Sequence, residues 1–404
     1  MKTDYISVAE AARRWGVTPR QVQRLLAEKR IPGARRHGRA WLIPRTADKP
    51  ADNRQNRRAR AGESVGVYDM GCAMPLLCGV FAAGKCRAAI DALPDPARRL
   101  AEAELCLYTA RADEAARLCA ELVEADDVCL RLSALLLTAM ASVACGDAKK
   151  AYTAVRRISA YYDRVKDADL PDELRATVIF ALLTPSVLLH IDHPSTPDPE
   201  RYIRYLPEGL KLWGYYICAF ISYFGGDYEE ALGTAKAALN MSPLRHTIMD
   251  ICLELLISMA LMELKRTAEA QTHFMAAWAL ARPDGLIFIL GEHHSALQGL
   301  IESCLKKSYP EDYRAVIAVA DAFNAGRKKL HAAPLSADAA PETLGTTERI
   351  IASLAVRGWT NMEIAAHLGL SVHTIKKYIS VIYQKLGISG RKELKAFITR
   401  QETR

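Results

Sequence analysis

The sequence predicts an all-α fold with one small β element, in which helix-turn-helix domains lie at both ends of a longer helical centre. Residues 67–330 are rich in Ala and Leu and show helical periodicity throughout. Short segments near both ends combine helix-capping residues with glycine stops. The domain boundaries that we predict are 1–48 for the N-terminal domain, 49–66 for a basic flexible linker, 67–330 for the centre, 331–343 for a second linker and 344–404 for the C-terminal domain.

The net charge of +8 is distributed unevenly along the chain. Residues 1–65 carry +10 and residues 342–404 carry +5, whereas residues 66–341 carry −7. Cationic side chains that contact phosphates release condensed counterions, so two basic ends favour a polyphosphate partner. Charge alone fits a solvated surface with basic tails equally well, and the motifs at each end therefore decide the interpretation.

Length and composition restrict the class of protein. The 404 residues suggest two or three domains, and half of them are apolar, enough for a sizeable core. No charge-free apolar run reaches the ~18–20 residues of a membrane span, and the N-terminus lacks an apolar signal region. We therefore expect a cytoplasmic protein without a membrane partner. The ten cysteines form no C-x-x-C motif, so they indicate neither a zinc cluster nor a disulfide framework.

Two short helices joined by a glycine turn are predicted near the N-terminus. Ser7 and Glu10 fit a capping box for the first helix, which Gly16 ends. Thr18 caps the second helix, with Pro19 at its first position. The outward positions of this second helix are polar, and they make it a candidate for reading DNA bases: Arg20, Gln21, Gln23 and Arg24.

The segment after these helices predicts a β-hairpin. Arg35-Arg36 can pair with Trp41-Leu42-Ile43 around His37-Gly38-Arg39, giving a wing that carries Arg35, Arg36 and Arg39. Residues 5–48 resemble the winged helix-turn-helix of excisionases and MerR-type regulators along their whole length. The resemblance implies that the second helix enters the major groove and that the wing contacts the backbone or minor groove.

The C-terminal residues predict three helices and a short fourth. Thr360 with Glu363 forms a second capping box, and Ser371 caps the third helix. An apolar seam is predicted along this third helix at Val372, Ile375, Ile379, Ile382 and Leu386. The opposite face carries the candidate DNA-binding residues His373, Thr374, Lys376, Lys377, Ser380 and Lys385. A last helix is expected over Lys392 to Thr399.

These C-terminal residues closely resemble the LuxR-type (FixJ-like) DNA-binding domain. The matching positions include Gly358, Asn361, Glu363, Ile364, Ala365, Leu368, Ser371, Lys385-Leu386-Gly387 and Arg391. The resemblance implies base contacts at Thr374, Lys376, Lys377 and Ser380, a DNA-binding role for Arg391, and a homodimer formed through the last helix. Two positions depart from the family pattern: Gly345 replaces the usual capping Thr, and Lys377-Tyr378 replaces the frequent His or Asn-His.

The centre shows weak internal similarity. "GDAKKAY" and "GDYEEAL" are predicted to be equivalent junctions between paired helices, and Ala115, Ala151, Ala231 and Ala270 fall at related spacings. "GDYEEALGTAKAALNMSP" resembles a tetratricopeptide repeat, which implies stacked helix pairs and a curved binding surface. An irregular helical domain without repeats remains the alternative. We expect the centre to bind a protein or small-molecule effector.

Two motifs suggest other chemistry. "GVFAAGKC" (79–86) fits a phosphate loop, but Cys86 stands where a magnesium-ligating Ser or Thr belongs and residues 75–92 read as helical rather than as a strand. His190-x-x-His193 and His293-His294 lack the Cys or carboxylate partners of a metal site. We therefore predict no enzyme activity, no cofactor and no metal.

The sequence as a whole predicts a transcription regulator that binds double-stranded DNA. Two alternatives remain open: an ATP-dependent switch that uses Lys85, and an accessory protein of recombination or DNA architecture.

Overall fold

A computed structural model shows a mostly helical chain with one small sheet, as the sequence predicts. The residues that it describes are 5–15, 18, 19, 22, 23, 26, 31, 33–37, 40–45, 47, 67–191, 193, 196–332, 344, 346–356, 358–368 and 370–394. The chain divides into two compact units, Met1–Ser64 and Val65–Arg404. Linker residues 49–66 and 333–343 lie outside the described part of the chain.

The N-terminal unit combines a helix with a three-stranded antiparallel sheet. Its elements are β1 (Tyr5–Ile6), α1 (Val8–Trp15), β2 (Arg35–His37) and β3 (Ala40–Pro44), and the strand order is β1-β3-β2. Arg36 pairs with Trp41 across the hairpin, which confirms the predicted strand pairing.

The capping box and the apolar pattern account for this unit. The Ser7 amide donates to the Glu10 carboxylate at 2.9 Å, and the Glu10 amide donates to the Ser7 hydroxyl at 3.3 Å, as predicted. The apolar residues that alternate with polar ones meet in one small core, formed by Ile6, Ala11, Ala12, Val22, Leu26, Ile31 and Ile43.

The centre is a succession of helices in which neighbours along the chain pack together. Its helices are α2 (Cys86–Asp91), α3 (Ala97–Tyr108), α4 (Ala112–Leu122), α5 (Val128–Ala144), α6 (Ala148–Val165), α7 (Asp172–Leu188), α8 (Glu200–Ile203), α9 (Glu208–Gly225), α10 (Tyr228–Leu239), α11 (Thr247–Glu263), α12 (Thr267–Ala281), α13 (Phe288–Glu292), α14 (Leu300–Leu305) and α15 (Pro310–Ala332). Contacts join α3 to α4, α4 to α5, α5 to α6, α9 to α10, α10 to α11, and α11 to α12.

The two Gly-Asp motifs form equivalent helix junctions, which confirms that prediction. Gly146 and Gly226 both have positive φ, 74° and 84°, and each follows a helix. The next residue, Asp147 or Asp227, is the N-cap of the following helix. The four alanines at related spacings, Ala115, Ala151, Ala231 and Ala270, have no exposed surface. Small buried side chains allow the helices of each pair to approach closely.

The long helix α15 crosses the centre and packs against α5, α6 and α13. Glycines permit the two closest approaches. A Cβ at Gly326 would lie 1.7 Å from the Val143 carbonyl oxygen, and one at Gly291 would lie 2.5 Å from Val319 Cγ1. Any side chain at either position would therefore force these helices apart. The helix extends through Ala332, so its last two residues occupy the start of the predicted second linker.

Residues 75–85 are not helical, so the predicted helix over 75–92 is wrong except at Cys86–Asp91. The left-handed Gly84 interrupts the helical pattern, and Phe81 forms a bridge to His246 instead. No helix in the described part of the chain has both the length and the apolar character to cross a membrane.

The C-terminal helices are α16 (Thr346–Val356), α17 (Asn361–Leu368) and α18 (Val372–Leu386). The predicted caps are confirmed: the Thr360 amide donates to Glu363 at 2.6 Å, and the Ser371 hydroxyl accepts from the Thr374 amide at 3.0 Å. Of the predicted last helix, only the part up to Leu394 lies in the described residues.

The predicted apolar seam of α18 is correct at its centre and wrong at its start. Ile375, Ile379 and Ile382 are buried, but Val372 is 39% exposed. Tyr378, which lies outside the seam, is instead buried at 4% exposure. Tyr378 is buried because it contacts His190 of the helical centre.

Candidate nucleic-acid interface

Helix α18 presents one basic, polar face to solvent. His373, Lys376 and Ser380 are exposed and Lys377 is partly exposed. Their spacing places them on one side of the helix, because residues three, four and seven apart share a face. We call these four residues the basic face. Its lysines can donate to guanine acceptors or to phosphates, and its hydroxyl can donate or accept.

Three other predicted DNA-binding residues are engaged within the protein. The Thr374 side chain is buried and its hydroxyl lies 2.8 Å from that of Ser371. The Lys385 ammonium lies 2.8 Å from the Glu348 carboxylate, with side chains only 11% and 7% exposed. Arg391 donates to Asn361 at 3.3 Å.

Two of these contacts connect α18 and the segment after it to neighbouring helices. The buried Lys385–Glu348 pair ties the end of α18 to the start of α16. The Arg391–Asn361 bond connects the segment after α18 to the first residue of α17. Both therefore fix the orientation of the helix that carries the basic face.

The N-terminal unit exposes a second set of polar residues. Gln23, Arg35 and Arg36 are exposed, and the Arg35 guanidinium lies 4.4 Å from the centroid of the Tyr5 ring. The cation–π contact holds the Arg35 side chain against Tyr5 of β1 without using its hydrogen-bond donors. The remaining predicted residues of this unit lie outside the described part of the chain: Arg20, Gln21, Arg24 and Arg39.

The C-terminal helices are docked on the helical centre. The Tyr378 hydroxyl donates to the His190 carbonyl at 2.9 Å, and His190 Nε2 lies 3.3 Å from the Leu368 carbonyl oxygen. His190 is buried and has a φ of 54°, which is uncommon for a residue other than glycine. Helix α16 also packs against α7 and α9. Sequence reasoning missed this interface, although Tyr378 was one of the departures from the family pattern.

The docked arrangement leaves the basic face outward. On an α-helix, Tyr378 lies roughly 140° around the axis from His373, because each residue advances about 100°. Docking therefore buries one flank of α18, and the opposite flank carries His373, Lys376 and Ser380 to solvent. In this arrangement the helical centre presents the basic face rather than covering it.

The loop that resembles a phosphate-binding motif already binds a carboxylate of the protein. The Gly84 amide donates to Asp284 Oδ2 at 2.6 Å, and the Cys86 amide donates to Asp284 Oδ1 at 3.2 Å. In a phosphate loop, such backbone amides surround the phosphates. Asp284 takes that place here, and its negative charge disfavours a nucleotide.

The histidines singled out by the sequence lie in separate hydrogen-bond networks. His193 Nε2 lies 3.1 Å from Asp163, whereas His190 contacts Leu368. His294 Nε2 lies 2.8 Å from Glu302, while His293 contacts Tyr216 and Ile289. Within the described residues, no group of three or more His, Cys, Asp or Glu side chains is arranged to hold a metal ion.

Comparison with known proteins identifies both ends of the chain. Residues 342–397 match the family model "Bacterial regulatory proteins, luxR family", and residues 5–47 match the model "Helix-turn-helix domain". A stretch of 50 residues is 42% identical to the probable transcriptional regulatory protein SgaR of Hyphomicrobium methylovorum. That stretch covers 12% of this chain and 24% of the relative. No solved structure matches significantly. The chain therefore carries a LuxR-family helix-turn-helix at its C-terminus and an excisionase-like helix-turn-helix at its N-terminus, as the sequence predicted.

Proposed function

We propose that this protein is a sequence-specific, DNA-binding transcription regulator. The basic face of α18 reads base edges in the major groove, and the N-terminal unit adds a second contact through its hairpin. The helical centre senses an effector or docks a protein, with its tetratricopeptide-like helix pairs as the binding surface. The observation that carries this proposal is the outward basic face on a LuxR-family helix-turn-helix.

The charge distribution supports the proposal. Each end is basic and the centre is acidic. An acidic centre repels the DNA backbone, so electrostatic attraction concentrates at the two ends. The similarity to SgaR, a probable transcriptional regulatory protein, is consistent with this function.

The resemblance of the C-terminal segment to the LuxR family also leads us to propose a homodimer. Two copies related by a two-fold axis would read a near-palindromic site. Leu394, in the predicted last helix, has no exposed surface and is therefore not itself available for a dimer contact in this structure.

The direct test is the double variant Lys376→Ala/Lys377→Ala in the full-length protein. A DNA site is first selected from a random-sequence pool with the wild-type protein. We expect the variant to bind that site more weakly, by about 1–3 kcal/mol for each base that its lysines no longer reach. Equilibrium binding at fixed salt measures the change, since affinities at different salt concentrations are not comparable.

The matched control is Lys306→Ala/Lys307→Ala, which removes the same charge from two exposed lysines of the centre. We expect this control to bind the selected site like wild type. Equal losses of affinity in the two variants would show a nonspecific effect of net charge and contradict base recognition by α18.

Genome-wide occupancy tests the alternative of an accessory role in recombination. The proposal predicts binding at promoters, whereas binding at recombination sites would favour the accessory role.

A further inference from the structure

A small cavity lies where the helical centre meets the C-terminal helix-turn-helix. Its volume is about 40 Å³, and it is bounded by residues of α7, α9, α13, α15 and the end of α17. Phe220, Phe224 and Phe323 form apolar walls, and Leu368 contributes from the helix-turn-helix. Ser295 is exposed and lies in the wall, so it marks an entrance.

One buried cation faces this cavity with unused hydrogen-bonding capacity. Arg327 is 8% exposed, and its Nη2 makes one long hydrogen bond, 3.4 Å, to Asn324. Its buried Nε has no acceptor among the described residues. A guanidinium carries five N–H donors and is costly to bury without acceptors. Such a group in a cavity wall indicates an anionic ligand.

Burial shifts the ionisable groups around Arg327 toward their neutral forms. Burial raises the pKa of Glu292 to about 8, so its carboxyl group is largely protonated and able to donate a hydrogen bond. Burial lowers the pKa of His293 and of His331 to about 4, so both rings are neutral. Burial also lowers the pKa of Arg327, to about 10, which still keeps the guanidinium charged.

We propose that this cavity binds a short-chain carboxylate, with its carboxylate on Arg327 and its alkyl chain against the phenylalanines. A volume of 40 Å³ holds about three water-sized groups at roughly 10–15 Å³ each. A second cavity of about 60 Å³, almost entirely apolar, shares Leu188 and Glu292 with the first. In this proposal the alkyl chain passes the phenylalanines and its end points toward this second space. The proposal deepens the proposed function, on which it rests, by naming the effector class of the sensor.

Through Leu368, the proposed ligand would contact the DNA-binding helices directly. Leu368 is the last residue of α17, and it both lines the cavity and accepts the hydrogen bond from His190. A bound carboxylate contacts the centre and the helix-turn-helix together. It therefore stabilises their docked arrangement by its differential affinity for that state.

The experiment measures calorimetric binding of butyrate to full-length protein, with butyramide as its uncharged counterpart. We expect butyrate to bind at least about tenfold more tightly than butyramide, because hydrogen bonds to a charged group are the stronger ones. We expect Arg327→Met to bind butyrate at least about tenfold more weakly than wild type. A buried charge without a partner is costly, so an apolar side chain of similar length at this position should not prevent folding.

The control is Arg314→Met, an exposed arginine on the same helix, which should bind butyrate like wild type. Equal affinity for butyrate and butyramide, or unchanged butyrate binding in Arg327→Met, would overturn the proposal, as would no butyrate binding at all. Preferential binding of inorganic phosphate over butyrate would also overturn it. Affinity for the selected DNA site is measured separately, without butyrate. Normal DNA binding with no butyrate binding would overturn this inference alone, whereas loss of specific DNA binding would count against the proposed function.

Discussion

The two helix-turn-helix segments of this chain are held in different ways. The N-terminal one belongs to a separate compact unit with its own core and a three-stranded sheet. The C-terminal one shares a compact unit with the helical centre, and the Tyr378–His190 hydrogen bond joins them. The C-terminal segment therefore packs on the helical centre, whereas the N-terminal segment packs on a core of its own.

The largest effect on stability should come from Lys385→Ala. This change removes the ammonium that lies 2.8 Å from the Glu348 carboxylate, in a pair whose side chains are only 11% and 7% exposed. Removing one partner of a buried ion pair costs about 3–5 kcal/mol. Urea unfolding of the unit that contains α18 measures the loss of stability, and we expect the N-terminal unit to unfold as in wild type.

Arg99→Ala is the matched control for Lys385→Ala. Its partner Glu121 is 79% exposed, so the pair is screened by water and its removal should change the free energy of unfolding by less than about 1 kcal/mol. If Lys385→Ala lowered the free energy of unfolding no more than Arg99→Ala does, the buried pair would not be what holds α18 on α16.

The two capping boxes, one in each unit, allow the same substitution to be compared in both units, with a smaller expected loss of stability. Ser7→Ala and Thr360→Ala each remove one N-cap hydroxyl, at an expected cost of about 1 kcal/mol. Hydrogen exchange locates the destabilised segments. We expect Ser7→Ala to speed exchange only within residues 5–45, and Thr360→Ala to speed it in α16–α18 and in the parts of α7 and α9 that contact α16.

The conservative variants Ser7→Thr and Thr360→Ser retain a capping hydroxyl. Their amide hydrogens should therefore exchange at almost the wild-type rates. Faster exchange throughout the chain in Ser7→Ala would contradict the separation of the two units. Unchanged exchange in α7 and α9 in Thr360→Ala would contradict mechanical coupling between the C-terminal helices and the centre.

A further effect concerns pH and is expected only in the larger unit, which contains Glu292. The Glu292 pKa is raised by burial from 4.5 to about 8, although the charge of Arg327 opposes the shift. Its protonated form therefore contributes stability below pH 4.5, and this contribution is lost as pH rises toward and through 8. We expect the stability of Glu292→Gln, relative to wild type, to increase between pH 5 and pH 8.

Thermal unfolding at several pH values tests this expectation. Glu104 is a second buried carboxyl group whose pKa burial raises to about 8, and it is present in both proteins, so its contribution cancels in the difference. A stability difference between wild type and Glu292→Gln that does not vary with pH would contradict burial as the cause of the Glu292 shift.

Local features of the fold were predictable from the sequence, because their causes lie within a few residues. The capping boxes at Ser7 and Thr360, the Gly-Asp junctions and the hairpin pairing all depend on neighbours along the chain. The helix predicted over 75–92 is wrong at residues 75–85, because contacts with residues distant in the sequence override the local helical pattern. There, the Asp284 carboxylate and the bridge to His246 hold the backbone in a turn.

The candidate site was predictable only in part, for the same reason. The polar side of α18 follows from helical periodicity, and the exposed basic face lies where the pattern placed it. The burial of Tyr378 depends on His190, 188 positions earlier in the chain. The cavity likewise brings together Phe220, Arg327 and Leu368 from three helices far apart in sequence. No spacing rule indicates such pairs.

Footprinting on the selected DNA site tests the central claim most directly, with wild type, Lys376→Ala/Lys377→Ala and Arg35→Ala/Arg36→Ala compared at one salt concentration. We predict that the α18 variant loses protection of the site. The hairpin variant should keep protection at the centre of the site but lose it at an edge, because the N-terminal unit adds a separate contact. Full protection by Lys376→Ala/Lys377→Ala, together with loss of the whole footprint in Arg35→Ala/Arg36→Ala, would contradict sequence recognition by the C-terminal helix.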